Sequence, residues 1–355
     1  MKLFIPISIL AVLGQSGLLV AQVKPAPAEG RVLGVIQSFT VVADLPNAEQ
    51  FWHETMGLES VGGDPRMRLE FYDTVPFLIE MYDNKSALRN FTLRIPGADM
   101  GIEPAQWKEV TGKLLPSRIQ DPGAAHIVLK TWNMNGFLPR LAKGPEQVLT
   151  VGGHPVTVAG PGGMNQLLWM RGPNGFFVAL EQPIPPPSAP GANGAPSASY
   201  YTGADTGFAV EDLDKTLHFY RDLLGFKAET SGWLAKKDQL GAYGLRSGQY
   251  RTAFLTMPDN NVAIRLTEFK GLDRKPLHKK ITDPNSLVLR MRVQGIDALA
   301  ARLKAAGTKI ISQSGEPYTN GRTRWFMMEG PDNVFVQLTE APQGAPNPGA
   351  PAIPR

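Results

Sequence analysis

The stretch "VVADLPNAEQFWHETMGLE", residues 41–59, recurs in altered form as "AVEDLDKTLHFYRDLLGFK", residues 209–227. Asp44 aligns with Asp212, Phe51 with Phe219 and Gly57 with Gly225, each pair 168 positions apart. Each copy reads as the end of an alternating strand, a turn at Asp-Leu, and an amphipathic helix that buries Phe and Trp or Tyr. A glycine suited to a helix C-cap ends each helix.

The repetition extends outward. "RIQDPGAAHIVLK" (118–130) aligns with "KITDPNSLVLRMR" (280–292) at an offset of 162, and Arg140/Arg302 and Leu141/Leu303 hold that register in the following helices. Pro139 should shorten or kink the first of those two helices. Two hairpins follow, "LLWMRGPNGFFVALE" (167–181) and "RWFMMEGPDNVFVQLTE" (324–340), which share a Gly-Pro-Asn/Asp turn between apolar strands. The chain therefore reads as four units of strand, helix and about three strands, at roughly 34–83, 121–182, 203–270 and 284–340.

The 355 residues are 43% hydrophobic and 19% charged, which fits a globular protein with a substantial core. The net charge of +4 is scattered, densest at "HKK" (278–280), with no basic stripe interleaved with aromatics, so nucleic acid is not an expected partner. "MKLFIPISILAVLGQSGLLVAQ" (1–22) has the charged start, apolar run and small residue at Ala21 of a secretory signal, cleaved near Ala21 or Gln22. An uncleaved anchor is the alternative, weakened by Gln15, Ser16 and two glycines. The expectation is an exported protein, periplasmic or secreted, with no membrane contact after cleavage. The absence of cysteine removes disulfides and thiolate ligands. Residues 183–200 read as a Pro-rich linker between bodies at 31–182 and 201–340, and 341–355 as a disordered tail.

The unit pattern, with "VxDLxxxxxFYxxxLGF" and "GPDNxxxxL", resembles the vicinal oxygen chelate superfamily of glyoxalase I, extradiol dioxygenase and bleomycin-resistance proteins. The resemblance covers nearly everything but leader, linker and tail. It implies an α+β fold of two glyoxalase-like domains, each a pair of βαβββ modules curled around a cleft, with metal ligands from the first and last strands of each module. Carried over, those positions are Gln37, Glu80 (in "PFLIEMYDN", 76–84), His126 and Ala179 in the first half. In the second they are Asp205, Arg265, Val288 and Gln337. One zinc-binding glyoxalase I subgroup has Gln, Glu and His in this order, with a glutamate where this chain has Ala179.

Chemically, Gln37, Glu80 and His126 would offer an amide oxygen, a carboxylate and an imidazole, a set suited to Zn, Fe, Mn or Ni. The other reading is a vestigial cluster with His126 hydrogen-bonded to Glu80. Glu181 lies two residues beyond Ala179 on the same strand face, within reach of the cleft mouth or of a bridging water. In the second half, arginine at a metal position expels the ion, so no metal is expected there. Asp205–Arg265 reads as a structural ion pair, or, with Arg290 and Arg292 facing the same cleft, as an anion pocket. Trp169 and Trp325 are core residues or ligand contacts. His53 and His218 read as exposed on helices, His278 lies in a charged connector, and His154 is a weaker cleft candidate. Two functions follow: a divalent-metal enzyme acting on a small oxygen-bearing substrate, of isomerase, lyase or dioxygenase type, or a non-catalytic small-molecule binder of the bleomycin-resistance type. Monomer and homodimer both remain open.

Overall fold

A computed structural model describes residues 30–61, 69–71, 76–82, 86–108, 116–144, 147–160, 162–188 and 200–342. The leader, the central part of the linker and the tail beyond 342 lie outside the described residues.

Unit 1 supplies β1 (Arg31–Val41), β2 (Leu88–Asn90), β3 (Leu93–Arg94) and β4 (Gly101–Trp107). Unit 2 supplies β5 (Ala125–Thr131), β6 (Gln147–Val148), β7 (Val156–Gly160), β8 (Gly163–Arg171) and β9 (Phe177–Ile184). Unit 3 follows with β10 (Tyr201–Val210), β11 (Lys227–Thr230), β12 (Gln249–Met257) and β13 (Asn260–Lys270). Unit 4 has β14 (Leu287–Gln294), β15 (Lys309–Ile310), β16 (Tyr318–Asn320), β17 (Thr323–Glu329) and β18 (Phe335–Glu340). The repeated helices begin where the Asp44 and Asp212 side chains accept backbone N–H groups of the first turn. They end near Gly57 and Gly225, whose φ values of 69° and 82° few other residues adopt.

Two nine-stranded sheets result, each built from a pair of units, but the pairs cross the sequence halves. In the first sheet β1 of unit 1 runs antiparallel to β14 of unit 4; in the second β10 of unit 3 runs antiparallel to β5 of unit 2. Units 1 and 4 therefore share one sheet and units 2 and 3 the other, and the expected bodies at 31–182 and 201–340 each contribute to both. A second expectation also changes. Residues 76–82 form a helix, and the last strand of unit 1 is β4, parallel to β1. The strand reading of "PFLIEMYDN" followed its apolar run; β4 was hidden by Pro104, a residue that normally argues against an interior strand.

While the sheets join opposite halves, the hairpin turns tie units within each half. Asn174, at φ 62°, accepts the N–H groups of Ala43 and Asp44 at 2.9 and 3.1 Å. Its counterpart Asp332, at φ 58°, accepts from the Glu211 N–H at 2.9 Å and the Thr216 hydroxyl at 3.1 Å. A shared core joins the helices to one face of both sheets, and a separate apolar cluster lines the other face of each.

Equivalent residues meet along the approximate two-fold axis that relates the halves. The Ser38 and Thr206 hydroxyls lie 3.3 Å apart, and Asp99 and Asn261 exchange N–H bonds at 2.8 and 2.9 Å. Lys279 occurs once and serves both halves: its Nζ donates at 2.7 Å to the Gly123 carbonyl and at 2.7 Å to that of Asn285, 162 residues later. Burial pushes this amine down to about 7, opposed by Asp283.

An unfolded lysine keeps its proton to about pH 10.4. Between that value and pH 7 the folded chain binds fewer protons, so stability should rise with pH across this window and the contribution should vanish below it. No cysteine titrates there. Urea unfolding at several pH values from about 6.5 to 9 should show this rise. Lys279→Met should flatten it; equal slopes in the two proteins would contradict the assignment.

Candidate functional site

The ladders fix which side chains converge on the lined face of each sheet. Alternation puts Gln37, Phe39 and Val41 of β1 on that face, opposite Arg290 of β14, which is level with Gln337 of β18. β4 brings in Glu103, opposite Phe39. In the second sheet Asp205 is opposite Val128, Val128 is level with Ala179, and β13 brings in Arg265, opposite Gly207. The equivalent sets are therefore Gln37, Glu103, Arg290 and Gln337 in one sheet, and Asp205, Arg265, Val128 and Ala179 in the other.

The expected ligands Gln37, Glu80 and His126 are not brought together. Gln37 is in the first sheet and His126 in the second. Glu80 lies on the helix Pro76–Tyr82 and accepts from the Ser314 N–H at 3.0 Å and hydroxyl at 2.5 Å. His126 makes no cluster with Glu80 either. Its ring packs edge-on to Trp169 at 5.0 Å and bonds the Ala124 carbonyl, and burial, reinforced by Arg265, pushes it down to about 3. It is a neutral core side chain one β-repeat away from the convergent position, which belongs to Val128. Val288 is displaced likewise, and its place is taken by Arg290. Arg290 and Arg292 face Gln37 and Gly34 in the first sheet, not the Asp205–Arg265 cleft.

At each centre stands a largely buried guanidinium, its side chain 13% exposed. Arg290 donates through Nε to Gln337 at 2.6 Å, through Nη1 to Gln37 and Glu103 at 2.5 Å each, and through Nη2 to the Tyr82 hydroxyl at 3.0 Å. Phe39 underlies it, 5.1 Å from the ring centre. Arg265 donates to Asp205 at 2.8 and 2.6 Å and grips both oxygens of Glu181, with Phe254 beneath at 5.1 Å. The second oxygen of Asp205 accepts from Lys130 at 2.8 Å and from the Ala263 N–H at 3.0 Å. Burial would raise the Asp205 carboxyl, but Arg265 and Lys130 outweigh it and hold the group below its ordinary value. Burial likewise works against the charge on Arg265, and Glu181 and Asp205 overcome it.

These residues do not fit a divalent ion. A fixed positive charge already uses the acceptors that would ligate one, and the described residues contain no group of three or more His, Asp or Glu side chains arranged to hold a metal. Room exists elsewhere on the same face. In the second sheet two lobes of about 350 and 450 Å³ share Glu181, Glu229, Phe254 and Arg265 as their common wall. The smaller lobe adds Leu167, Leu234, Gln239, Tyr243 and Tyr250. Trp169 stacks behind Tyr243 at 5.5 Å as core, and Trp325 lies in the other sheet.

Glu103 is the centre residue that the sequence reading missed. It stands 162 positions before Arg265, and Trp107 stands the same distance before Phe269. The register already evident in the later units would have found both.

Removing Arg265 leaves the buried Glu181 carboxylate without its counter-ion, and removing Arg290 leaves Glu103 with the Asn90 amide but no cation. Arg290→Met and Arg265→Met should each lower stability by about 3–5 kcal/mol, as for one partner of a buried pair. Denaturant titration with an unchanged m-value measures it; a loss under about 1 kcal/mol would mean that water replaces the cation.

Residues 204–338 match the sequence profile of the Glyoxalase/Bleomycin resistance protein/Dioxygenase superfamily. A "Probable lactoylglutathione lyase" from Synechocystis sp. is 29% identical over 133 residues, 37% of this chain and 88% of that protein. Crystallised glyoxalase I from Zea mays superposes with a TM-score of 0.54 at 16% identity, over 88% of this chain and 92% of its own. A putative dioxygenase from Bacillus subtilis gives 0.52 at 12% identity, over 88% and 87%.

Proposed function

The chain belongs to the vicinal oxygen chelate superfamily, by the match over residues 204–338 and the fold it shares with glyoxalase I, and on that premise we propose that it is an exported protein that binds a small molecule in the cleft of the second sheet without a divalent ion. The observation that carries this reading is the Arg265 guanidinium, bonded on two sides by Asp205 and Glu181 where the strands converge. Beside it the cleft offers an aromatic and aliphatic wall and a few polar groups, the composition that small-molecule sites share. The lyase and dioxygenase names of the relatives describe those proteins; what carries over is the fold and the cleft. The metalloenzyme reading needed Gln37, Glu80 and His126 on one ion, and they occupy separate places. Export rests on the leader sequence.

Elemental analysis of protein purified without chelator should find metal far below one ion per chain, and EDTA should leave the thermal midpoint unchanged. A thermal-shift screen of small aromatic and aliphatic compounds should yield stabilisers, about 2.7 kcal/mol at a hundredfold excess over Kd. Near-stoichiometric metal whose removal lowers the midpoint would overturn the metal-free reading. A screen with no stabiliser would overturn the binding reading. N-terminal sequencing of the exported chain should start just after Ala21 or Gln22.

A further inference from the structure

The charges around the second-sheet cleft do not cancel. Lys130 and Arg265 are taken up by Asp205 and Glu181 in one bonded chain. Glu229 stands outside that chain, exposed at the mouth common to both lobes. Three carboxylates therefore face two cations, and the surplus is negative.

Independently, the smaller lobe contains an acceptor without a donor. Gln239 is only 8% exposed, lines the lobe, and its Oε1 has no hydrogen-bond partner among the described residues. A buried acceptor is normally satisfied, by protein, water or ligand. The neighbouring Tyr243 hydroxyl does not serve it, being bonded to Thr267. The apolar part of the lobe's lining includes Leu167, Leu234, Tyr250 and Phe254.

Building on the metal-free binding reading, we infer that the cleft is selective for a small organic amine in its protonated form. Its N–H groups meet Gln239 Oε1 and the carboxylate of Glu229, and its aromatic or branched body lies against Tyr250, Phe254 and Leu167. An ammonium group supplies only donors, which this acceptor-rich end requires, and aromatic faces favour cations over anions. A carboxylate ligand would bring a second negative charge beside Glu229.

The test is calorimetric titration of the purified chain with three probes of similar shape: 2-phenylethylamine, 2-phenylethanol and 3-phenylpropionate. The amine should bind at least about tenfold more tightly than the other two, the worth of one hydrogen bond to a charged donor. Gln239→Leu should remove about that factor, and Glu229→Gln about threefold, as for an exposed ion pair, with the affinity for 2-phenylethanol unchanged by the second. Glu229 is exposed, so its variant reports on binding even where Gln239→Leu alters folding. Equal or tighter binding of the alcohol or the acid would overturn the amine assignment and leave the cleft as a binding site. Amine binding untouched by both substitutions would overturn the placement. No heat from any probe would also overturn the inference, while the compound screen judges the binding reading separately.

Discussion

The first strand of each βαβββ unit has one edge occupied by its own last strand and the other edge bare. A bare edge is an open row of N–H and C=O groups that must be paired or protected. Four such edges are closed here by two antiparallel ladders, β1 with β14 and β5 with β10. Which edge pairs with which decides every site on the molecule, because the lined face of a sheet collects side chains only from the units in that sheet. The ladders cross the halves, and the turns at Asn174 and Asp332 hold each pair of sequence neighbours together from outside. The halves interlock, with Lys279 bridging both across the axis.

Given that arrangement, each sheet brings four equivalent positions together, and each places one arginine among them. The two arginines come from different positions: Arg290 from the first strand of unit 4, Arg265 from the last strand of unit 3. The same physical demand is met in both cases, that a buried guanidinium be fully hydrogen-bonded and its charge balanced. The first sheet does this with one carboxylate, two amide oxygens and a phenol. The second uses two carboxylates and must add Lys130 to balance them. Both centres are neutral, and neither leaves its acceptors free for a cation.

The repeats made the unit count, the fold class and the Asp-capped helices legible, because each rests on local pattern: the 168-residue and 162-residue registers, the Asp-Leu turns, the terminating glycines. Asp205, Arg265, Gln37, Gln337 and Ala179 were placed at convergent positions for the same reason. What was not legible was non-local. No residue pattern states whether β1 pairs with β5 or β14, so His126 was credited to a site that it does not reach. A slip of two residues keeps a side chain on the same face, so hydrophobic alternation cannot separate His126 from Val128 or Val288 from Arg290. Glu80 was chosen over Glu103 because the apolar run 77–79 looks more like a strand than "GIEPAQW" does.

The two centres differ in one further respect, the partner of a nearby tyrosine hydroxyl. In each unit pair a short helix ends near a tyrosine over the lined face, Tyr82 after Pro76 and Tyr243 after Lys237. Tyr82 turns its hydroxyl onto Arg290 and packs against Phe39 and Trp107, at 5.7 and 5.6 Å between ring centres, so the first centre is covered by aromatic rings. Tyr243 bonds Thr267 instead and packs edge-to-face with Tyr250 and Phe269 at 5.1 and 5.3 Å. Arg265 consequently takes its acceptors from Glu181, on the opposite side, and the space between these groups is the lobe that Gln239 lines. The two tyrosine hydroxyls thus meet different partners, a guanidinium in the first sheet and a threonine in the second.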